Sequence, residues 1–229
     1  MKQVIQIRCK NNKKSQKVEI GSTLFDIFSA FDLKMTHGPV SARVNNKVEG
    51  MHYRVYNSKD VEFLDMTSSS GSRAYTRTLF FVLCKAVQDI YPATDVVIDI
   101  PVSNGFYVDI RLGRPVVDED VNIIRRRMQE IIDARMPIRR FTVPTEEAVA
   151  LFQEKGDVEK VKLLKTSGSI YTTYYKIGDY VDYYYGTLLT NTSQLYLFGL
   201  EKYYDGMLLR IPSLKNGCAG RNDPTGQDV

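Results

Sequence analysis

Cysteine and histidine are scarce in this chain of 229 residues, which contains three cysteines and two histidines. Cys9, Cys84 and Cys218 lie far apart, so the sequence predicts neither a disulfide framework nor a thiolate zinc site. His37 and His52 are too few to suggest a histidine-based metal site or a catalytic triad. The composition therefore argues against a metalloenzyme and against a serine hydrolase, and we expect no metal and no cofactor.

Long hydrophobic runs are also missing. The longest covers residues 79–84, far short of the roughly 20 residues that a membrane-spanning helix needs, and no signal-peptide hydrophobic stretch follows Met1. No segment fits the P-loop pattern Gly-x-x-x-x-Gly-Lys-Ser/Thr, which cradles nucleotide phosphates. Hydrophobic residues make up 43% and charged residues 25%, as in ordinary globular proteins. We expect a soluble cytoplasmic protein with no membrane partner.

Positive charge is concentrated in the first quarter of the chain. Residues 1–66 carry 11 Lys and Arg against 7 Asp and Glu, whereas residues 67–212 carry 18 of each. The change falls at the Ser/Gly-rich stretch 67–72, which predicts a linker between one domain ending at residue 66 and another covering 73–212. Residues 213–229 have Gly, Asn, Asp and Pro without an apolar period, so we expect a disordered tail.

The pattern of residues 1–66 predicts a strand, a strand, a helix and two more strands, the order of a small ubiquitin-like β-grasp domain. Ser22 or Thr23 can cap the helix, whose apolar side comprises Phe25, Ile27, Phe28 and Phe31. The first two strands are separated by a lysine-rich run that we call the lysine loop, with Lys10, Lys13, Lys14 and Lys17. It suits contacts with nucleic-acid phosphates, but it equally suits a solvated hairpin turn.

The second segment mixes helical and strand-like periods, so the whole chain is predicted to be α+β. A Tyr-rich stretch, 171–185, holds seven of the 15 tyrosines. Tyrosine rings there could stack on a base, although tyrosine also suits half-buried strands. Arg125, Arg126 and Arg127 point in different directions around a helix and indicate a solvated surface. The expected helices cover 73–91, 118–135 with Asp118 as the cap, the residues after Thr145 up to Gly156, and 157–164. The expected strands are 96–100, 106–112, 195–204 and 207–211, with a turn at Asp205-Gly206 between the last two.

Several separated blocks resemble known families. The block 38–50 (GPVSARVNNKVEG) resembles the TGS domain of threonyl-tRNA synthetases, regulatory GTPases and the SpoT family. The blocks PVSNGFYVD, EDV, KVKLL and YVD, in this order from residue 101 to 182, resemble the second additional domain of threonyl- and alanyl-tRNA synthetases. The resemblance covers about residues 1–212. It implies a TGS-like domain followed by a larger α+β domain of the synthetase editing type.

This pairing, together with the Tyr-rich stretch, also resembles the amino-terminal half of Bacteroidetes nucleoside or uridine kinases. In those proteins a P-loop kinase domain that uses ATP follows. Because the P-loop is missing here, the resemblance implies that this chain is the amino-terminal portion of a longer protein, with a kinase domain as its covalently attached partner.

In the synthetase domain the known activity is editing, the hydrolysis of mischarged aminoacyl-tRNA. The resemblance places its two pairs of metal-ligand-like residues on Phe81 and Lys85, and on Tyr184 and Leu188. Phe and Leu have no donor atom, Lys is protonated at neutral pH, and Tyr has a pKa near 10. The metal site is therefore expected to be lost, and no catalytic residue is assigned.

Two other editing-pocket positions of that family persist as Lys160 and Asp182. The candidate pocket thus comprises Lys160, Asp182, Tyr184, Lys85 and Phe81, and it suits a ribose or adenine end. An ion pair with a purely structural role explains Lys160 and Asp182 equally well.

Three functions follow from these features. The first is a noncatalytic module that recognises tRNA or a nucleotide and acts on an attached nucleoside kinase. The second is a metal-independent aminoacyl-tRNA or ester hydrolase that uses Lys160 and Asp182. The third is a packing or homo-oligomerisation module, which would expose an apolar patch on the hairpin 195–211.

Overall fold

The computed structural model describes most of the chain, namely residues 3–35, 38–92, 94–102 and 105–212. These residues form an α+β fold with several sheets and five α-helices, so the predicted fold class is confirmed. No helix in this part of the chain is long and apolar enough to cross a bilayer. His37 lies outside the described residues. The tail 213–229, for which we predicted disorder, also lies outside them.

The first segment contains one helix and a five-stranded sheet in the order β2-β1-β7-β4-β5. β1 and β7 run parallel, and the other neighbouring strands are antiparallel. Strands β1, β2, β4 and β7 and helix α1 confirm the predicted order of two strands, a helix and two strands, whereas β5 and the short β3-β6 pair were not predicted. The elements are β1 (Val4–Cys9), β2 (Ser15–Glu19), β3 (Ser22–Thr23), α1 (Leu24–Ala30), β4 (Ser41–Val44), β5 (Lys47–Gly50), β6 (Arg54–Val55) and β7 (Lys59–Leu64).

The capping residue of α1 is Thr23, one of the two predicted candidates. The backbone N–H of Asp26 donates to Thr23 Oγ1 at 3.2 Å, and the backbone N–H of Thr23 donates to Asp26 Oδ2 at 2.9 Å. This reciprocal capping box satisfies two N–H groups that have no partner inside the helix. It fixes the start of a helix whose residues Leu24 and Ile27 are fully buried.

The second segment contains four α-helices and two sheets, in the orders β10-β11-β12 and β13-β14-β9-β8. Strand β10 was not predicted. The hairpin turn is Tyr204-Asp205, one residue earlier than predicted, because Gly206 already pairs with Tyr203. The elements are α2 (Ser69–Ile90), β8 (Val96–Val102), β9 (Gly105–Ile110), α3 (Asp118–Asp133), β10 (Arg139–Pro144), α4 (Thr145–Glu154), α5 (Val158–Thr166), β11 (Tyr171–Ile177), β12 (Tyr180–Tyr183), β13 (Gly199–Tyr203) and β14 (Gly206–Arg210).

The prediction of a coil linker at 67–72 is wrong. Helix α2 begins at Ser69, and the Ser68 hydroxyl caps it by accepting from the Gly71 N–H at 3.0 Å. A Cβ on Gly71 would lie only 1.9 Å from the Asp65 carbonyl oxygen. Glycine therefore occurs here because the helix start packs directly on the backbone after β7, and not because the chain is flexible.

Two hydrophobic cores account for most of the buried apolar side chains. One lies between α1 and the five-stranded sheet, and the larger one surrounds α2 and α3. Val40 and Met66 from the first segment are buried in the larger core, and Gln194 Nε2 donates to the Pro39 carbonyl at 3.3 Å. The two segments are thus in contact, and their division into domains at residue 66 stays a prediction.

Candidate functional site

The candidate pocket lies around the three-stranded sheet β10-β11-β12. Alternation along β11 directs Tyr175 and Ile177 into the larger core with α2, whereas Tyr174 packs on the opposite face against Phe152 of α4. Helices α4 and α5 form a small separate core on that second face. The sheet therefore has helices on both sides, and β12 is one of its two edge strands.

Lys160 and Asp182 meet at this edge. Lys160 Nζ lies 2.7 Å from Asp182 Oδ1 and 2.8 Å from Asp157 Oδ2, and Asp157 also caps α5. The second oxygen of Asp182 accepts the Tyr180 hydroxyl at 2.9 Å, and its first oxygen also accepts the Tyr183 N–H at 2.6 Å. Both carboxylate oxygens of Asp182 thus have partners inside the protein.

The charge of Lys160 follows from these contacts. Burial alone would lower the pKa of its ammonium group, but the neighbouring Asp182 and Asp157 carboxylates outweigh burial and raise the pKa above its usual value. Lys160 Nζ also lies 5.7 Å from the centre of the Phe152 ring. The ammonium group therefore stays protonated at neutral pH and cannot accept a proton as a general base.

Aromatic rings fill the space next to this ion pair. Phe81, which is fully buried, lies 5.1 Å from the Tyr180 ring centre and 5.7 Å from the Tyr184 ring centre, the latter edge to face. Such contacts add to the stabilisation from apolar burial. Burial raises the pKa of both the Tyr180 and the Tyr184 phenol well above the usual value. These hydroxyls are neutral and cannot serve as phenolate ligands.

The five residues of the candidate pocket are only partly brought together. Phe81 and Tyr184 are in contact, and Lys160 pairs with Asp182. Lys85 instead binds Asp89 at 3.0 Å and Asp179 at 3.3 Å. Leu188, the fourth position carried over from the metal-ligand pairs, is buried in the larger core.

The donor set does not suit a metal ion. Within the described residues no three His, Cys, Asp or Glu side chains are grouped in a way that could hold one. The nearest sulfur donor is Cys84, where burial, reinforced by Asp182, raises the thiol pKa to about 12. A protonated thiol is a poor ligand, because metals bind the thiolate.

The Tyr-rich stretch divides into packed and exposed members. Tyr175 is buried and donates its hydroxyl to the Gly186 carbonyl at 2.8 Å, so it has a structural role. Tyr171 and Tyr185, at opposite ends of the stretch, are 65% and 87% exposed. Only such exposed rings have a face free to stack on a base.

The lysine loop is an ordered turn between β1 and β2. Asn11 holds it in place, because its side chain donates to the Phe63 carbonyl at 2.9 Å and accepts the Phe63 N–H at 2.7 Å. The four loop lysines, Lys10, Lys13, Lys14 and Lys17, are all exposed. An open groove of about 360 Å³, lined in part by Arg8, Ser15 and Lys59, lies beside it. The turn geometry and the exposed charges leave both predicted interpretations of this loop open.

Sequence reasoning missed a second buried ion pair, at the start of α3. Asp120 accepts two hydrogen bonds from Arg114, at 2.6 and 2.8 Å, one from the Tyr91 hydroxyl at 2.6 Å and one from the Val117 N–H at 3.0 Å. The predicted cap, Asp118, is instead the first helical residue. The three acidic residues in the first turn of this helix indicated where it begins, but nothing in the sequence indicated that Asp120 would contact the distant Tyr91.

No family model matches the chain, but comparisons with known proteins find threonine–tRNA ligases that are similar to it. The chain is 30% identical over 193 residues to a threonine–tRNA ligase of Clostridium kluyveri, and this alignment covers 83% of the chain and 30% of the relative. The chain is 29% identical over 181 residues to the threonine–tRNA ligase of Acetivibrio thermocellus, and this alignment covers 79% of the chain and 28% of the relative. The Clostridioides difficile enzyme is 28% identical over 181 residues, with the same coverage.

The chain thus spans less than a third of the length of these relatives. Over about four fifths of its own length, it is homologous to their amino-terminal region.

Proposed function

We propose that this chain, as a homologue of the amino-terminal region of threonine–tRNA ligases, is a noncatalytic RNA-recognition module. In this proposal a TGS-like domain, residues 1–66, supplies a basic surface, and an editing-type domain, residues 73–212, has lost its metal site. The relatives support the tRNA-synthetase connection, since their name states a tRNA ligase. The recognised partner is tRNA, through its phosphates.

The absence of catalysis in this proposal is supported by one observation: the residues of the candidate pocket are engaged in contacts with other residues of the protein. Asp182 has partners on both oxygens, and Lys160 is held as a cation. Phe81 packs against Tyr184, and these residues are one member of each of the two pairs that the resemblance assigns to metal ligands. A hydrolytic site needs a group that can take a proton from water, or a metal that activates one. Here Lys160 is already protonated, both oxygens of Asp182 have partners inside the protein, and the described residues contain no group of three metal ligands.

The RNA half is supported by the lysine loop. Its four exposed ammonium groups project from an edge of the five-stranded sheet, because β2 is the outermost strand. The Asn11 clamp keeps the turn in one position, so binding would not need to order it. Exposed lysines that neutralise phosphates make binding strongly dependent on salt.

The test is tRNA binding at two salt concentrations, measured by fluorescence anisotropy. We expect affinity to fall at least about tenfold between about 50 and 200 mM salt. Replacing Lys10, Lys13, Lys14 and Lys17 by Ala should weaken binding and flatten the salt dependence. The matched control replaces four exposed lysines on other elements, Lys155, Lys162, Lys165 and Lys202, and should change affinity much less. Absence of binding at low salt would remove the RNA half of the proposal.

The attached nucleoside kinase belongs to the same proposal, supported only by the resemblance of the whole arrangement. In that case the module regulates the kinase through bound RNA. Kinase turnover of the full-length protein should then change when tRNA is added, and the lysine-loop variant should abolish the change. Equal turnover with and without tRNA would contradict this step.

A metal-independent hydrolase is the alternative that uses the same residues. The raised pKa of Lys160 counts against it, because a protonated amine cannot act as a base. A deacylation assay with mischarged tRNA should give no turnover above background. Turnover that is lost in Asp182→Asn would instead favour the hydrolase.

An oligomerisation role has partial support from the hairpin. Leu200, Met207 and Leu209 are buried in the larger core, whereas Leu197 and Tyr204 are 56% and 76% exposed. A mass measurement in solution distinguishes a dimer through this surface from a monomer.

A further inference from the structure

Two arginines without carboxylate partners lie near one end of the β10-β11-β12 sheet. Arg77 projects from α2 and Arg140 lies on β10, and both cations lower the pKa of the Tyr175 phenol, against the larger, opposite effect of burial. Among the described residues neither arginine has an acidic side chain at ion-pair distance, in contrast to Arg43, Arg114, Arg127 and Arg210. Arg140 pairs in register with Tyr175, and Arg77 packs on Gly186, whose carbonyl accepts the Tyr175 hydroxyl, so two positive groups without an acidic side chain at ion-pair distance among the described residues lie near Tyr175.

Arg77 is held at a defined position by Gly186. A Cβ on Gly186 would lie 2.7 Å from Arg77 Nη1 and 2.8 Å from Cζ, so the guanidinium group packs on the glycine backbone. Gly186 has a φ of +106°, which L side chains rarely adopt. Its carbonyl accepts the Tyr175 hydroxyl at 2.8 Å. The guanidinium group thus rests on a fixed turn, which lowers the entropy cost of binding a ligand.

The surroundings of Arg77 favour an anion. Arg73 lies one helical turn earlier and is exposed, and two like charges four residues apart destabilise a helix unless an anion neutralises them. Tyr185, directly before Gly186, has 87% of its surface exposed. Phe81, one turn after Arg77, belongs to the aromatic filling of the candidate pocket.

We infer that Arg77 and Arg140 bind the phosphates of a single-stranded RNA, and that the Tyr185 ring stacks on one of its bases. The guanidinium fork suits two phosphate oxygens at once, and aromatic stacking tolerates any base. Arg73 adds a third cation along α2. This inference rests on the proposed function and names a second contact surface, which is separate from the lysine loop.

The test is binding of a labelled single-stranded RNA of about ten nucleotides, a length that suits one such surface. The Arg77→Ala/Arg140→Ala double variant should bind about tenfold more weakly at low salt, and its salt slope should fall by about 1.4, as expected for two lost phosphate contacts. The matched control is Arg125→Ala/Arg126→Ala, which removes the same charge from the exposed face of α3. That control should change affinity less than about threefold. Equal losses in both double variants would overturn the inference.

Single variants keep the test informative if Arg77→Ala disturbs the packing on Gly186. Arg140 is exposed, so Arg140→Glu should fold normally and weaken binding more than Arg140→Ala. Tyr185→Ala should weaken binding about tenfold, whereas Tyr185→Phe, which keeps the ring, should match the wild type. Equal affinity of Tyr185→Ala and wild type would overturn the stacking contact.

Two further results separate this inference from the proposed function. RNA binding that needs the lysine loop but not Arg77 and Arg140 would overturn the second surface and leave the proposed function standing. Adenosine monophosphate that competes as well as the RNA would overturn the RNA assignment, in favour of a free nucleotide. If the wild type binds no RNA at low salt, the proposed function itself fails.

Discussion

Two buried aspartates with cationic partners have different surroundings. Asp120, at the start of α3, accepts both N–H groups of the Arg114 fork, the Tyr91 hydroxyl and a backbone N–H. Asp182, on edge strand β12, has a single-point contact with the Lys160 ammonium, which it shares with Asp157. The side chains of Asp120 and Asp182 are 4% and 9% exposed, so burial alone does not distinguish them.

The partners explain the difference. A two-point contact with arginine neutralises the carboxylate and also fixes its orientation. At Asp120 this contact joins the loop that contains Arg114 to the first turn of α3. A lysine ammonium is a point charge on a flexible stem, and 30% of the Lys160 side chain is exposed. We conclude that Asp120 supports the fold, whereas the Lys160–Asp182 pair lies where our proposal places a former editing pocket.

The largest effect is expected for Asp120→Ala. Removing this carboxylate leaves Tyr91 and the Val117 N–H without their acceptor, so the free energy of unfolding should fall by about 3 kcal/mol. Urea denaturation measures the change. The control is Glu119→Ala, an exposed acidic neighbour in the same helical turn, which should cost less than about 1 kcal/mol. Equal losses would contradict the special role of Asp120.

The pH dependence of that effect has a definite sign. The Arg114 guanidinium, with Tyr91 and the Val117 N–H, holds the pKa of Asp120 well below its usual value. Its contribution is therefore fully present above the unfolded pKa of about 3.9 and is lost as the pH falls through the folded value. The stability difference between the wild type and Asp120→Asn should shrink on acidification below about pH 4. A difference that stays constant there would contradict the lowered pKa.

A smaller effect, at the opposite end of the pH scale, is expected for Lys160→Met. Asp182 keeps its hydrogen bonds from Tyr180 and Tyr183, so the loss at neutral pH should be about 1–2 kcal/mol. Because the pKa of Lys160 is raised, its contribution is fully present below the unfolded pKa of about 10.4 and is lost as the pH rises through the folded value. Denaturation at neutral and alkaline pH tests this, with exposed Lys162→Met as the control. A loss that grows with pH would refute it.

The smallest expected effect is the chemical modification of Cys84 in the folded protein. Burial raises the pKa of the Cys84 thiol to about 12, so very little thiolate is present at pH 8. Iodoacetamide should therefore label Cys84 only after unfolding, as mass spectrometry of the cysteine peptides would show. Rapid labelling of Cys84 in the folded protein would mean that the aromatic cluster around it is open.

Much of the fold could be predicted from sequence, because its elements have strong local patterns. The helical period of α2, the capping residues of α1 and the acidic first turns of α3 and α4 are local signals. The stretch 67–72 misled because glycine and serine favour flexible coil in general, whereas here Gly71 avoids a clash with Asp65. That contact joins two elements and leaves no period in the sequence.

The candidate site could be predicted only in part for the same reason. The resemblance brought Lys160 and Asp182 together, and the structure pairs them at 2.7 Å. It gave no reason for Lys85 to contact Asp179, since that contact depends on the turn after β11, whereas Asp89 lies four residues further along the same helix. The packing of Arg77 on Gly186 likewise depends on tertiary structure alone.

The central proposal is that side chains unable to bind a metal have replaced the ligands of an editing site. Elemental analysis of tag-free purified protein, after dialysis without chelator, tests it most directly. The account predicts far less than one transition-metal ion per chain, unchanged in Asp182→Asn. One tightly held zinc ion per chain, lost on substitution of Asp182 or Cys84, would contradict it.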